Sequence, residues 1–401
     1  MNRRTLLKAG GLALCHVGLA EWAPVLASPV HALSAARQTL ALTPVHVSWD
    51  RVIRTTVGLR PHRDSGFVLR AEKQGDRLLV HNYGHGGAGM SLAWGTGAIA
   101  ADMTLAQESR RAAVIGCGAV GLAAARQLQR RGFDVVIYTA TVPPDTTSNM
   151  SMASFTPASG LIAPEQRTPE WDAQFHEAAT TSAEALEALV GSEYGVSWID
   201  HFQATDRPPP PDDEQPDGPL PAFLTTQRSR EILGPGEHPF PTRYVVRTSS
   251  LRIEPSTYLE ALVRDVVQFG GRIVIRQFDT PADVMALAEP VIVNCTGLGS
   301  HALFGDEELV PVKGQLTLLS PQEGVTYRAG RRSSARASGS PDVAAVGMMP
   351  RRDGIVLGNT QERGVWSLDV NEEARQRIVT NAMQLFRSAA PGPASRLPTH
   401  P

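Results

Sequence analysis

Val114-Ile115-Gly116-Cys117-Gly118-Ala119-Val120-Gly121 is the stretch on which the reading of this chain turns. Two alanines and two aliphatic residues run into a G-x-G-x-x-G, and a segment rich in Ala, Leu, Arg and Gln follows directly. The pattern predicts a strand, a tight turn and a helix. In such a unit the first glycine permits the turn and the second lets the backbone approach a pyrophosphate. The third lets the helix pack against the strand, with its N-terminal N–H groups facing the phosphates. Glycine-rich turns between strand and helix also occur without a ligand, so the motif takes its weight from context. Phe133 to Tyr138 (FDVVIY) reads as the next parallel strand, reached after a helix that ends at Gly132.

The chain has 401 residues, enough for two interlocked domains or one large one. Lys and Arg total 38 against 40 for Asp and Glu, with no basic stripe and no long run of one sign, so nothing points to nucleic acid. A protein acting on a small molecule is the default. Arg3-Arg4-Thr5-Leu6-Leu7-Lys8 has the twin-arginine pattern, and Ala9 to Ala20 is apolar without an acidic residue. That apolar part is too short for a membrane anchor, and small residues offer cleavage near Ala27 or Ala32. A basic N-terminus leading into a core helix is the alternative. Twin-arginine export carries folded proteins, which suits one that loads a cofactor before it leaves for the periplasm. Cys15 lies inside this segment, where Leu14 fits a lipoprotein box poorly. Cys117 and Cys295 read as small buried side chains; their spacing suits neither a disulfide framework nor a metal.

In chain order, Leu33 to Val47 reads as a linker. Alternation over Gly66 to Glu72, a turn at Gly75-Asp76 and Leu78 to Val80 predict a hairpin. It runs into His81-Asn82-Tyr83-Gly84-His85-Gly86-Gly87-Ala88-Gly89, a loop whose four glycines a packed core does not need. Gly95 to Met103 looks helical, as does Trp171 to Val190. Pro208 to Pro221 reads as a solvated insertion. A helix around Tyr258 to Phe269 stops at Gly270-Gly271, and Val291 to Gly297 reads as a buried parallel strand ending in a turn. Asn371 to Phe386 gives a final helix.

Gly58-Leu59-Arg60-Pro61 with Arg63, then a hairpin, then His81-Asn82-Tyr83-Gly84-His85-Gly86-Gly87-x-Gly89-x-Ser91-Leu92-x-Trp94-Gly95, resembles the flavin-binding signature of the D-amino-acid oxidase family. In that family the signature closes the chain and the G-x-G-x-x-G opens it. Here the order is reversed. The rest follows in the usual order. Pro143 to Asn149 resembles the segment along the flavin, and Val291 to Gly297 the second flavin-contacting strand. Pro311 to Gln315, Met348 to Gly354 and Val356 to Gly358 resemble substrate-domain strands. The resemblance covers about Val52 to Arg387. It implies a circular permutation, with the old ends joined through Ala100 to Arg111 and the new ends near Leu397 and Trp49.

The resemblance implies a Rossmann-type α/β domain that binds FAD, interleaved with an α+β substrate domain built on an antiparallel sheet. The expected boundaries are a signal over 1–32, the FAD domain over 50–156 completed by 250–305, the substrate domain over 157–249 and 306–387, and a tail over 388–401. The implied reaction is oxidation of a D-amino acid or another small amino acid to the 2-oxo acid and ammonia, with hydride transfer to flavin N5. Oxygen or a quinone takes the electrons; a protein that binds flavin without turnover is the alternative of a different class. Arg60 is expected to grip the substrate carboxylate, against the alternative of a structural ion pair, and the Gly87 carbonyl to face the amine. The FAD contacts implied are Gly116, Gly118, Ala119, Val120 and Gly121; Thr146, Thr147 and Ser148; Cys295, Thr296 and Gly297; and Gly86, Gly87, Gly89, Ser91 and Leu92. His81, Tyr83 and His85 are more often backbone-bonded loop residues than acids or bases.

Two departures from the family stand out. Tyr138-Thr139-Ala140-Thr141 has no carboxylate where one usually binds the ribose. Val343 and Gly347 stand where the family places one tyrosine that shares the substrate carboxylate with the arginine and, in some members, another on a lid nearby. In the loop between Tyr327 and Pro341, Arg328, Arg331, Arg332 and Arg336 are candidates to replace a tyrosine or to select an acidic side chain, against the alternative of a solvated loop.

Overall fold

The computed structural model describes residues 39–158, 161–210, 230–331, 345–358 and 360–387. Along it run β1 (Val52–His62), β2 (Val68–Gln74), β3 (Arg77–Tyr83), α1 (Gly89–Asp102), β4 (Arg111–Ile115), α2 (Ala119–Arg130) and β5 (Asp134–Thr139). Next come α3 (Pro169–Ala188), β6 (Val196–Thr205), β7 (Arg230–Leu233), β8 (Tyr244–Ile253), α4 (Pro255–Gln268) and β9 (Arg272–Ile275). Then follow α5 (Pro281–Met285), β10 (Val291–Asn294), α6 (Gly299–Phe304) and β11 (Val310–Leu319). The last elements are β12 (Tyr327–Arg331), β13 (Val346–Arg351), β14 (Gly354–Gly358), β15 (Glu362–Arg363) and α7 (Glu372–Phe386). The signal segment, most of the Pro208 to Pro221 insertion, the tail, and Arg332, Arg336 and Val343 lie outside the described residues.

Six strands form one sheet in the order β2-β3-β10-β4-β5-β9. All neighbours are parallel except the hairpin β2–β3. Ala112 to Ile115 and Val291 to Asn294 are buried throughout, as strands covered on both faces require. Asn294 pairs with both His81 and Ile115, so β10 and β4 end level and β3 runs two residues further in the same direction. The three glycine turns that follow these strands therefore open on one edge, the carboxyl edge, where parallel sheets bind ligands.

The predicted strand, turn and helix at Gly116 form, and β5 is the expected parallel neighbour. The loop predicted over His81 to Gly89 is shorter than expected. His81 to Tyr83 complete β3, and α1 starts at Gly89 rather than at Gly95. Glycine weakens a helix interior by about 1 kcal/mol relative to Ala, which hides this start from sequence. Packing explains it. A Cβ on Gly97 would stand 3.0 Å from the Ala124 nitrogen, and one on Gly95 would collide with the Ala178 carbonyl, so α1 lies unusually close to α2 and α3.

The second sheet has nine strands in the order β1-β11-β14-β13-β12-β6-β8-β7, with β15 also on β11. Pairing is antiparallel except between β12 and β6. Alternation divides its two faces. Phe202, Leu319, Tyr327, Ala329, Met348 and Leu357 pack against Ile378, Val379, Leu385 and Phe386 of α7. The opposite face carries Leu316, Leu318 and Val356 against Met152, and Met349 against Ala153 and Ile199.

Candidate active site

The first and third glycines of the nucleotide turn are fixed by the protein itself. Gly116 has φ +111°, and a Cβ there would sit 2.5 Å from the Cys295 carbonyl oxygen. A Cβ on Gly121 would overlap the carbonyl oxygen of Gly116. Gly118 differs: its Cβ would meet only the Ser148 hydroxyl, at 3.2 Å. The space that Gly118 leaves is thus not needed by the fold, which is what a pyrophosphate lying over the backbone requires. The N–H groups of the first turn of α2 lack intrahelical partners, and Ala119 N donates to Ser148 Oγ at 3.0 Å. Val120 reaches Gly89 at the start of α1, with a γ-carbon 3.8 Å from where a Cβ of that glycine would be. These residues fit a dinucleotide.

Around this turn the other expected contacts converge. Buried Thr146 donates to Asn149 Oδ1 at 2.8 Å, and Thr147 is exposed. Thr296 Oγ1 donates to Asn294 Oδ1 at 2.8 Å, which holds the turn into Gly297 (φ +56°). Cys117 and Cys295 are free and buried, and burial pushes the Cys117 thiol up to about 12. Ser91 is buried; its hydroxyl accepts from Thr156 N at 2.8 Å and so ties α1 to the segment after Met152. Leu92 is fully buried in the helical core.

Arg60 comes to this edge on β1. Gly86 N donates to the Pro61 carbonyl at 2.7 Å, so the loop bearing exposed Gly87 is stitched to the residue after Arg60. The Pro61 ring lies 3.9 Å from the Cβ position of Gly297, and a Cβ on Gly58 would meet Met150 at 2.8 Å. The Arg60 guanidinium lies across Gly314 and reaches the Thr360 carbonyl at 3.4 Å. Desolvation lowers its pKa from the usual arginine value. Among the described residues no carboxylate comes within 4.0 Å of it, so the structural ion pair allowed for Arg60 is not found there. The neighbouring charges go elsewhere: Arg63 pairs with Asp306 and Glu308, and Asp64 with His62 and Arg363. A half-buried, desolvated and always charged fork left in this state calls for an anionic partner.

Sequence reading found Arg60 but missed Met150, Gly314 and Thr360 around it. Gly58 and Gly314 lie in recognisable motifs, yet only the structure shows that, paired across β1 and β11, they clear room for Met150 and for Arg60 respectively.

The histidines of the loop are structural. His85 is buried, stacks on Phe67 and bonds Thr96 Oγ1 at 3.1 Å, and burial pushes its pKa down to about 4. His81 Nδ1 faces Asn294 Nδ2 at 3.0 Å, and burial lowers its pKa too, against the pull of Glu72. Tyr83 donates to Asp306 at 2.8 Å. Other tyrosine hydroxyls are committed as well: Tyr194 to Asp265, and Tyr327 to the Thr43 carbonyl. At the ribose end, Thr139 Oγ1 donates to the Thr141 carbonyl at 2.6 Å.

Of the four loop arginines, Arg331 is paired with Asp206 at 2.7 Å. Arg328 lies between Tyr327 and Ala329, which face α7, so it projects from the other face of the sheet, the face that carries Gly314 and Arg60. Gly330, Gly347 and Gly358 pair in succession across β12, β13 and β14, and the space over Gly358 is filled by Leu316 and Met152.

Residues 8–103 and 111–397 match the model of a family described as FAD dependent oxidoreductase. The chain is similar to a D-amino-acid oxidase from Rubrobacter xylanophilus, 26% identical over 286 residues that cover 69% of this chain and 77% of that protein. It is also similar to a D-aspartate oxidase from Homo sapiens, 25% identical over 291 residues, 69% of this chain and 76% of that one. Among solved structures, a glycine oxidase from Bacillus cereus aligns over 69% of this chain and 78% of its own, with 16% identity and a TM-score of 0.47.

Proposed function

The chain belongs to the family of FAD-dependent oxidoreductases, with FAD as its cofactor, and on that premise we propose that it oxidises a D-amino acid to the imino acid, which water converts to the 2-oxo acid and ammonia. The observation that carries this reading is Arg60, a desolvated guanidinium without a described carboxylate partner, stitched through Pro61 to the glycine loop. FAD supplies the acceptor for the hydride. The chain supplies position. Arg60 holds the α-carboxylate through paired hydrogen bonds, and the Gly87 carbonyl accepts from the amine. No loop histidine is placed to take a proton, since His81 and His85 are buried and bonded, so the amine arrives already neutral.

The test is anaerobic bleaching of the FAD-loaded protein with D- and L-amino acids and glycine. Bleaching by D-amino acids that is lost in Arg60→Ala, with FAD content kept, supports the proposal. Flavin that no amine bleaches sinks it and favours a binding protein without turnover. On admitting air, peroxide identifies oxygen as the acceptor, and slow reoxidation that a quinone relieves identifies a dehydrogenase.

Arg328 favours a narrower reading, a substrate with an acidic side chain, because it projects from the sheet face that carries Arg60. Arg328→Ala should then lower the preference for D-aspartate or D-glutamate over D-alanine; an unchanged ratio removes the idea.

The reversed motif order is part of the proposal. Supporting it, β1 and β3 pair within the two sheets, and the family match breaks at 104–110, inside the expected joint of Ala100 to Arg111. Moving residues 52–103 to follow Arg387 should give a chain that folds and retains FAD; an insoluble product counts against permutation. Export through the twin-arginine translocon to the periplasm rests on Arg3-Arg4. Replacing both with Lys should hold the protein in the cytoplasm, and unimpaired export would refute the signal.

A further inference from the structure

A cavity of about 350 Å³ shares no residue with the Arg60 site. Arg252, Arg351 and Arg352 line it, with Glu254, Thr257 and Ser192. Its volume is at the low end of ligand pockets. The charges around it do not cancel. Arg351 is half-buried and committed: it forks onto Asp353 at 3.0 and 3.1 Å, donates to the Ser151 carbonyl at 2.9 Å and lies 3.9 Å from Glu254. Asp353 also takes Arg54 at 3.0 Å. Two cations thus meet two carboxylates. Glu254 is saturated further, accepting from Arg352 N at 2.9 Å and from Ser256 Oγ at 3.5 Å.

Arg252 and Arg352 remain. Neither has a carboxylate within 4.0 Å among the described residues. Arg252 donates only to the Pro350 carbonyl, at 3.4 Å, and its Nε is buried without a hydrogen bond. The cavity also lies at the N-terminus of α4, where no side chain caps the first turn, so the helix adds partial positive charge. Thr257 and Ser192 add hydroxyl donors. Guanidinium forks, hydroxyls and a helix N-terminus together match the tetrahedral oxygens of one class of ligand.

We propose that this cavity binds a small dianion of the phosphate type, inorganic phosphate or a phosphomonoester, between the guanidinium groups of Arg252 and Arg352. The test uses the FAD-loaded protein, so that the nucleotide turn is already filled. Inorganic phosphate is titrated at pH 7.5 by calorimetry and by thermal unfolding, with sodium chloride at matched ionic strength as control. The expected result is saturable binding and a raised melting temperature with phosphate alone. Arg252→Gln and Arg352→Gln should each weaken phosphate binding at least tenfold, with FAD content and the phosphate-free melting temperature unchanged. A phenyl phosphate titration separates a phosphomonoester pocket, with tighter binding than phosphate, from one shaped for the free ion. The proposal is overturned if chloride produces the same response, or if the double variant binds phosphate as the parent does.

Discussion

Glycine clears space in both sheets, but against different things. In the six-stranded sheet the obstruction is backbone: a Cβ on Gly121 would overlap the Gly116 carbonyl, and one on Gly116 would press on that of Cys295. At Gly314 and Gly358 of the nine-stranded sheet it is side chain. The Cβ of Gly314 would meet the Arg60 guanidinium at 2.5 Å, and that of Gly358 would meet a Leu316 methyl at 2.5 Å and the Met152 sulfur at 3.2 Å. Backbone cannot give way without moving an element, whereas the end of a side chain can rotate. The first region should therefore be brittle, and the second adjustable.

The sharpest way to break that contrast is Gly121→Ala. Overpacking against backbone costs about 1–3 kcal/mol or more, and the strain falls on the cofactor turn itself. The variant should purify without bound FAD and melt well below the parent. A yellow, stable Gly121→Ala protein would show the turn to be as adjustable as the face that carries Arg60.

The loop between the two regions should fail first in acid. His85 has a folded pKa of about 4, below its value of about 6.5 in the unfolded chain. A depressed histidine favours the folded state fully above pH 6.5, and that contribution is lost as pH falls from about 6.5 towards 4. Between pH 7 and pH 5 the loss is about 2 kcal/mol. Urea unfolding at the two pH values should show it in the parent and a smaller change in His85→Gln; equal slopes would place the acid sensitivity elsewhere.

A smaller effect of opposite sign is expected at Ala153, the non-glycine residue with positive φ (+64°) among those described. It lies where Met152 and Met349 meet and its carbonyl is held by Ile253 N at 2.9 Å. The left-handed conformation costs an L-residue about 1–2 kcal/mol. Ala153→Gly should recover about 1 kcal/mol, read as a rise in the urea midpoint. Destabilisation instead would mean that the methyl packs better than its backbone strains.

The smallest stability change is expected from Gly314→Ala, below about 1 kcal/mol, because the atoms in the way belong to the movable end of Arg60. KM should rise while the melting temperature holds. If stability falls as far as in Gly121→Ala, the distinction between the regions is wrong.

The same distinction explains what could be read in the sequence. The nucleotide turn was legible because its glycines answer to neighbours a few residues away, and a local rule has a local signature. The hairpin at Gly75 and the helices at Trp171 and Asn371 were legible for that reason too. The start of α1 was not: a helix beginning Gly-Met-Ser and containing Gly95 and Gly97 contradicts local propensity, and only contact with α2 and α3 justifies it. Arg60 could be picked out through a motif, but its freedom from a described carboxylate depends on Asp64 turning to Arg363 and Arg63 to Glu308, pairings set by segments some 240 to 300 residues away. Nothing near Arg252 or Arg352 in the chain marks their cavity either.

The pairing of β1 has a consequence for synthesis. Val52 to His62 pair with Leu319 to Val310, made roughly 250 residues later, and among the described residues no strand lies on the other side of β1 in the sheet order. At about 5–20 residues per second, that strand leaves the ribosome tens of seconds before its partner exists. An 11-residue strand with Ile53 exposed and both edges bare would spend this interval open to pairing with other nascent chains. Yield in a host cell should then depend on translation speed and on chaperones that shield extended segments.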